Sequence, residues 1–446
     1  MASDLNEAQA QQQLDELTYH IESAFSRHLS NLDSVPDEID QGTLDEVLDE
    51  VARNSAYGQA NGPGNNVSTF TDLSGSHGLA HLNAAGKLFK VTDPVPLGGY
   101  QAKLSESAIE DLKRRPEVLK VVQDRFGTLD VDDDPPANIT SSPEAPWNLQ
   151  RLSSTAPFDQ NANPEALTYT YRRPEVAGLA AKPVHIYILD TGIITTHEEF
   201  QGRQVFQGPN YSQDQNNNND THGHGTHVAG TVGGNQCGVA RDPRVRITGV
   251  KVTTGHGFID GARAVRLSAV IRGLEWVLGQ HQANPDVPTV INMSLKFAPG
   301  DDALDHVVDK MVDQGVHVVV SAGNAGQDAT SQSPARAHGA LAVGASTIKD
   351  EYWQNSNFGP KVAIFAPGVK IMSAGIAGPA ERVPKSGTSM ASPLVAGMIA
   401  WLIQQERDRS PQAMLQRLQE LADASGLVIT GVPPNTTNRL IWNGVR

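Results

Sequence analysis

The sequence predicts an α/β domain with a mostly parallel central sheet, which begins near residue 180. Runs of apolar and β-branched residues recur there at strand length, and helical segments lie between several of them. The runs are apolar throughout, which indicates strands that are covered on both faces. The strands are expected at 184–190, 245–252, 289–295, 316–323 and 340–346, and the helices at 264–281 and 303–315.

Length and composition limit the classes of protein that remain. A chain of 446 residues with 39% hydrophobic residues is expected to form two or three packed domains. The net charge of −15 disfavours nucleic acid and anionic membrane as partners. The sequence contains no run of about 18 apolar residues, so no membrane span is predicted.

The single cysteine, Cys237, excludes an intrachain disulfide, so no oxidising compartment is required. A small buried thiol is its expected role. The first residues, MASDLNEAQAQQQ, carry neither the basic segment nor the apolar segment of a secretory signal. An intracellular location is therefore predicted, with secretion as the alternative if the sequence lacks its natural beginning.

The region before the α/β domain divides into segments of different composition. Residues 1–79 form an acidic, Gln-rich extension, and residues 80–134 are expected to form a small α+β unit. Residues 135–145 combine Pro-Pro with small polar residues, which is typical of a solvated, protease-accessible linker, and residues 146–446 hold the α/β domain. Within the small unit, strands are expected at 87–91, 98–104 and 118–124 and a helix at 105–117.

Three polar residues stand where functional groups collect in such sheets, at strand ends and in the turns that follow them. Asp190 ends the run VHIYILD, and Asn324 comes just after a strand in VVVSAGNAG. Ser389 lies in the Gly-rich turn of SGTSMASP, which opens an apolar helix. Each has an ordinary alternative, because Asp and Asn are common in turns and Ser often caps helices.

The stretch THGHGTHVAG, residues 221–230, places His222, His224 and His227 within six positions. This spacing is similar to the H-x-H-x-D-H ligand run of metallo-β-lactamase-like hydrolases, so a metallohydrolase is one hypothesis. Thr226 stands at the Asp position, however, and no matching set of acidic and histidine ligands follows downstream. The alternative is that one imidazole transfers protons, and this requires a nucleophile such as Ser389.

Taken together, the extended motifs closely resemble those of the subtilisin-like serine peptidases. The matching stretches are ILDTGI, HGHGTHVAGTVGG, INMSL, SAGNAG and SGTSMASPLVAG. APWNLQRLS and THEEFQGR look most like the proteinase K-like branch, and the resemblance spans about residues 145–446. It implies a subtilisin-like three-layer fold and a serine endopeptidase that works through an acyl-enzyme. GYQAKLSESAIEDLKRRPEVLKVVQD likewise resembles the second half of an inhibitor I9-like prodomain of ferredoxin-like α+β fold, which implies a self-processed zymogen. The first part of that prodomain would fall within residues 1–79, where it is poorly recognisable.

The resemblance assigns a role to each candidate residue. Asp190 would orient the imidazole of His224, which would take the proton of Ser389 and return it to the leaving amine. The side chain of Asn324 would stabilise the oxyanion together with the backbone N–H of Ser389. This acyl transfer needs no metal and no cofactor.

A polypeptide substrate is expected to bind as an added strand between two edges, which the resemblance places at 254–258 and 294–297. The implied partners are polypeptide substrates and the chain's own prodomain, an intramolecular inhibitor that is removed by cleavage within 129–146, near Ala145. A monomer is expected. The expected substrate-binding residues are Gly255, His256, Gly257, Ser294, Leu295, Lys296, Ala322 and Gly323.

Two residues depart from the family pattern. Lys296 stands where relatives usually have Gly, so its side chain either narrows the pocket and favours acidic substrates or points to solvent. Ala363 stands where proteinase K-like enzymes have a calcium-binding Asp, so calcium there should bind weakly or not at all. Two alternatives to an active protease stay open: a catalytically silent homologue plugged by its prodomain, and a metallohydrolase that uses the histidine run.

Overall fold

The structure is a computed structural model, and it divides the chain into two compact units, Met1–Gln123 and Asp124–Arg446. In the first unit, strands β1 (Ala80–Leu82) and β2 (Leu88–Lys90) pair antiparallel. The predicted strand at 87–91 corresponds to β2, whereas the predicted elements at 98–124 lie outside the described residues. The structure describes residues 80–82, 88–90, 126–129, 145–159, 161–172, 182–214, 216–255, 258–259, 262–263, 265–406 and 409–444.

The second unit is built on a seven-stranded sheet with several smaller sheets beside it. In chain order its strands are β3 (Phe126–Leu129), β4 (Val184–Asp190), β5 (Gln204–Asn210), β6 (Val245–Lys251), β7 (Phe258–Ile259), β8 (Ala262–Arg263), β9 (Val265–Arg266), β10 (Thr289–Met293), β11 (Leu295–Lys296), β12 (His317–Ser321), β13 (Leu341–Ser346), β14 (Val362–Pro367), β15 (Ile371–Ala374) and β16 (Arg382–Lys385). The large sheet has the order β14-β13-β12-β10-β4-β6-β5, and all its pairs are parallel. This confirms the predicted α/β class.

The strand order of the large sheet reverses around β4, because β6 follows it on one side and β10 on the other. A reversal of this kind opens a crevice beyond the carboxyl ends of the strands, where ligands bind in open α/β sheets. Asp190 is the last residue of β4, and Asn324 lies just beyond the end of β12. The topology therefore brings two of the candidate residues to the same edge of the sheet.

Helices connect the strands, and their ends carry recognisable caps. Asp301 accepts hydrogen bonds from two backbone N–H groups at the start of one helix, and Ser410 caps another that begins with Pro411 and stops at Gly426, which has φ 70°. Among the described helices, none combines the length and the apolar character needed to cross a membrane. The helices are α1 (Trp147–Leu152), α2 (His224–Gly233), α3 (Leu267–Ala283), α4 (Asp302–Asp313), α5 (Thr388–Glu406) and α6 (Pro411–Ser425).

The core surrounds α5, in which every residue from Thr388 to Gln404 is buried. A helix that is apolar on all sides is stable only when it is enclosed, and α5 packs with α2 against the sheet. Strands β10, β12 and β13 are buried at every position, as the continuous apolar runs predict. Ser389 therefore sits at the start of a helix that the core holds rigidly.

Most predicted elements of this unit are present with slightly different ends, but the strand predicted at 289–295 is wrong at its carboxyl end. Strand β10 stops at Met293, and Leu295–Lys296 forms β11 in a different sheet. The reason is Ser294, whose buried side chain turns toward α5 and hydrogen-bonds there. The chain leaves the large sheet at this residue.

A three-stranded antiparallel sheet lies in the same unit, with β3 between β11 and β9. Its registers are Leu295 with Leu129 and Lys296 with Thr128 on one side. On the other side, Phe126 pairs with Arg266 and Gly127 with Val265. Residues 126–129, which the sequence analysis includes in the segment 80–134, thus form backbone pairs with two strands of the α/β domain.

Candidate active site

Asp190 and His224 form a buried pair at the carboxyl end of β4. Nδ1 of His224 lies 2.8 Å from Oδ1 and 2.9 Å from Oδ2 of Asp190, and both side chains are fully buried. The helix α2 begins at His224, and its next residue must be Gly225, because a Cβ there would lie 2.2 Å from the carbonyl oxygen of Gly192. That close approach sets the imidazole against the carboxylate.

The loop before His224 is held by Asp220, a residue that the sequence did not single out. Oδ1 of Asp220 accepts the backbone N–H groups of His222 and Gly223, and Oδ2 accepts both the N–H and the hydroxyl of Thr226. This carboxylate satisfies N–H groups that the start of a helix leaves without intrahelical partners. An Asp shortly before a Gly-rich helix start is the signal that could have identified it.

Ser389 is the second residue of α5, and its hydroxyl donates to the carbonyl of Ser294 at 3.2 Å. The backbone carbonyl of the same residue lacks its usual helical hydrogen bond, and a side chain supplies the missing donor. Pro393 has no N–H to donate to the carbonyl of Ser389 four residues earlier. The hydroxyl of Ser294 donates to that carbonyl instead, at 3.0 Å.

Behind this contact lies a buried polar network that the sequence did not predict. The hydroxyl of Ser294 has one proton, which goes to Ser389, so Ser392 must donate to Ser294 across their 3.0 Å contact. The side-chain amide of Asn292 donates to the same oxygen, also at 3.0 Å. The network joins the end of β10 to α5 and holds Ser389 in place.

Asn324 faces the start of α5 and uses only one end of its side chain in the fold. Its Oδ1 accepts the backbone N–H of Thr388 at 3.0 Å and the Thr388 hydroxyl at 2.7 Å. Its Nδ2 is buried and has no hydrogen-bond partner among the described residues. Because a buried amide donor without a partner is costly in a folded protein, this group indicates a site prepared for an oxygen ligand.

The turn that carries Asn324 is tightly constrained. Gly323 has φ 105°, and a Cβ there would lie 2.3 Å from Oε1 of Gln332. Asn357 donates to the carbonyl of Ala322 and accepts the N–H of Ala325, so one side chain ties both sides of the turn. The predicted residues Ala322 and Gly323 thus position Asn324.

The three histidines of the run have different surroundings. His227 lies on α2 and its Nε2 donates toward two backbone carbonyls, those of Ile371 and Val383. His222 lies with its ring centre 6.2 Å from that of His224. Within the described ranges, no cluster of three His, Cys, Asp or Glu side chains has the geometry to hold a metal ion. In the part of the chain that the structure describes, the histidine run therefore has no additional ligands beside it.

Burial of His227 makes the stability of the protein depend on pH. Its pKa lies well below the usual value because complete burial disfavours the imidazolium, and Lys385 and His224 act in the same direction. A histidine in the unfolded chain has a pKa of about 6.5. The contribution of His227 to the free energy of unfolding is therefore fully present above that pH and falls by up to about 1.4 kcal/mol per pH unit below it. We expect His227→Gln to flatten this dependence, measured by urea unfolding from about pH 5 to about pH 8. An unchanged slope would contradict the assignment.

The two predicted substrate edges have different outcomes. The edge at 294–297 is occupied by β11, which pairs with β3. The other edge of β3 pairs with Val265–Arg266, and the edge predicted at 254–258 stays a prediction. The hairpin of β7 and β8 separates the two segments, and Gly255 instead packs against His222, where a Cβ would lie 2.5 Å from the imidazole. His256 and Gly257 lie outside the described residues.

The model of the subtilase family, peptidase S8, matches residues 181–437. The chain belongs to the subtilase family. Its relatives include the subtilisin-like serine protease AsES of Sarocladium strictum, 37% identical over 78% of this chain and 80% of that protein, and the cuticle-degrading protease of Metarhizium anisopliae, 33% identical over 78% and 80%. The solved structure of a cold adapted subtilisin-like serine proteinase, 34% identical, covers 67% of this chain and 98% of that chain with a TM-score of 0.54.

Membership of the family makes this subtilase a serine protease, and so a hydrolase. Its mostly parallel sheet flanked by helices is the subtilisin-like α/β fold of its structural neighbour.

The calcium site implied by the proteinase K-like branch does not fit the residues of this subtilase. Ala363 lies in β14 and offers a methyl group where a hard carboxylate would be needed. Its carbonyl oxygen accepts the side-chain amide of Gln419 at 3.4 Å. Residue 363 therefore cannot supply the carboxylate ligand of that calcium site.

Proposed function

We propose that this subtilase hydrolyses peptide bonds with Ser389 as nucleophile, His224 as general base and Asp190 as the group that orients the base. The observation that carries the proposal is the state of the imidazole. Its Nδ1 is held by Asp190 at 2.8 Å, while its Nε2 is buried and lacks a partner in the part of the chain that the structure describes. A carboxylate on Nδ1 fixes the tautomer that leaves Nε2 free to accept a proton.

The reaction begins when the Ser389 hydroxyl turns from the carbonyl of Ser294 toward Nε2 of His224. The serine oxygen attacks the substrate carbonyl as the imidazole takes its proton, and the imidazolium then gives that proton to the leaving amine. Water enters after the amine departs and is activated by the same imidazole. This attack releases the new carboxylate and restores the Ser389 hydroxyl.

The charge that develops on the carbonyl oxygen needs donors in place before the reaction. The unpartnered Nδ2 of Asn324 is one, and the backbone N–H of Ser389 at the start of α5 is the second. A long helix adds the positive end of its dipole at the same point. Because Oδ1 of Asn324 is engaged by Thr388, the amide cannot turn away from the oxyanion without losing two hydrogen bonds.

The substrate binds as an extended strand between β9 and β11. Strand β3 supports this assignment, because it already makes antiparallel backbone pairs with both edges. Backbone pairing reads main-chain geometry, so it tolerates many substrate sequences. The same strand supports a zymogen in which the chain's own N-terminal region blocks the groove until it is cut.

The fold needs no disulfide, because the sequence has one cysteine, Cys237, and this thiol is buried. Its pKa lies well above the usual value because of complete burial and the nearby carboxylate of Glu199. A protonated, buried thiol is unreactive, so the protease can work in a reducing compartment.

The proposed function is tested by selective inhibition. We expect the processed enzyme to hydrolyse casein, to lose that activity in a serine-directed phosphonate and to keep it in an excess of a metal chelator. The converse pattern, with loss in chelator only, would establish a metallohydrolase. An unprocessed wild type that hydrolyses nothing would establish a silent, prodomain-plugged homologue.

A further inference from the structure

Lys251, the last residue of β6, is a buried cation close to the candidate site. Its relative exposure is 1%, and its Nζ donates to the carbonyl oxygen of Asn219. In the sheet it is paired with Asp190 on one side and with Asn210 on the other. A buried ammonium is costly unless hydrogen-bond acceptors and negative charge lie near it, so its surroundings must supply both.

The negative charge comes from two carboxylates in the segment before α2. Burial lowers the pKa of Lys251 below its usual value, and Asp220 and Asp214 act on it in the opposite direction. Asp220 is itself buried, whereas Asn218 and Asn219 are exposed. The Asp220 loop (residues 216–220) therefore has a solvent side and an inner side, and the ammonium of Lys251 supplies positive charge on the inner side.

The Asp220 loop also positions the imidazole of His224. The Asp220 carboxylate accepts the N–H groups of Gly223 and Thr226, on either side of His224, at 2.7 and 2.9 Å. The Thr226 hydroxyl donates to Asp220 at 2.6 Å and accepts the N–H of Ile194 at 3.0 Å, so the contacts continue to the segment after β4. A shift of this loop would displace α2 relative to β4, which carries the other half of the buried pair.

We propose that Lys251 is a positioning residue of the peptidase, whose ammonium holds the Asp220 loop against the sheet and so keeps His224 in contact with Asp190. The inference rests on the proposed function. Asp220 takes neutral donors from the start of α2, and Lys251 supplies the positive charge from β6. Lys251 acts through the loop, since the carbonyl that it binds belongs to Asn219, the residue directly before Asp220.

The experiment compares the processed wild type with Lys251→Met, which keeps the length of the side chain and removes its charge. We expect kcat on a chromogenic peptide to fall at least about tenfold and KM to stay within about twofold, because the loop acts on the base and not on the substrate. Hydrogen exchange should become at least about tenfold faster in the backbone of residues 220–227 and stay unchanged in α5.

Three further variants separate the charge of Lys251 from its size. Lys251→Arg keeps the positive charge and should bring kcat to within about threefold of the wild type. Lys349→Met is the matched control, because it removes a lysine from an exposed turn and should leave kcat unchanged. Adding Lys251→Met to Asp220→Asn should lower kcat by no more than about a further twofold, because the two side chains act through one loop.

Wild-type kcat in Lys251→Met, an equal loss in Lys251→Arg, or additive losses in the double variant would overturn the inference. So would faster exchange in α5 as well as at 220–227, which would show a contribution to global stability alone. If Lys251→Met does not fold, Lys251→Gln takes its place, since it keeps a donor without the charge. A wild type without peptidase activity would overturn the proposed function, and the exchange measurement would then still test the effect of Lys251 on the loop.

Discussion

Ser389→Ala is expected to lower kcat by about a million-fold and to leave the chain uncut. Subtilisin itself is the reference case for this magnitude, where loss of the serine costs about as much as loss of the whole triad. The physical reason is that the acyl-enzyme needs this oxygen, while the hydroxyl makes one long hydrogen bond of 3.2 Å in the fold. The measurement is kcat on a chromogenic peptide together with the intact mass of the purified chain.

Ser425→Ala provides the control for this substitution. Its hydroxyl donates to the carbonyl of Ala422 and accepts the N–H of Leu427, at the end of α6 and away from Ser389 in the chain, so kcat should stay close to that of the wild type. A Ser389→Ala protein that still processes itself would contradict the assignment of the nucleophile. Unfolding temperatures of both variants establish that lost activity is not lost structure.

Asn324→Ala is expected to lower kcat by about a hundred-fold to a thousand-fold with little change in KM. The magnitude is that of the corresponding donor in subtilisin. The effect falls on kcat because Nδ2 has no partner in the described structure and gains one only when the oxyanion forms. Steady-state kinetics on a peptide substrate separate the two constants.

Asn324→Asp is the matched variant, because it keeps the oxygen that accepts from Thr388 and removes the donor. We expect its activity to fall at least as far as that of Asn324→Ala, and its unfolding temperature to stay nearer to the wild type. Full activity in Asn324→Asp would contradict the role of Asn324 as a hydrogen-bond donor to the oxyanion. Equal unfolding temperatures of the two variants would contradict the idea that the hydrogen bonds from Thr388 anchor the side chain of residue 324.

The sequence predicted the class of fold because strand and helix patterns are local, and the candidate site residues are also marked by local motifs. Asp190, His224, Ser389 and Asn324 each stand in an extended motif at a strand end or helix start, and the structure brings Asp190 and His224 into contact.

The supporting contacts could not be predicted, because they join residues far apart in the chain. Ser294 meets Ser389 across 95 positions, and nothing local in the sequence marks that pairing. The sequence indicates that Pro393 leaves one helical hydrogen bond unmade. It does not indicate which side chain supplies the replacement donor.

Which segment pairs with β3 could not be predicted for a related reason. The segment GHG at 255–257 has the Gly-rich composition that the resemblance assigns to an edge, whereas the described pairing of β3 is with Val265–Arg266, which follows strands β7 and β8 in the chain. The sequence pattern likewise does not reveal which sheet the short strand at 126–129 joins. Its pairing with both edges depends on tertiary structure alone.

The most direct test is to map where a serine-directed phosphonate binds covalently to the processed enzyme. We expect one phosphonate per chain, on the peptide that contains Ser389, and a loss of labelling in His224→Ala, because the imidazole makes the hydroxyl nucleophilic. A label on another residue, or labelling of His224→Ala at the rate of the wild type, would contradict the coupling of Asp190, His224 and Ser389.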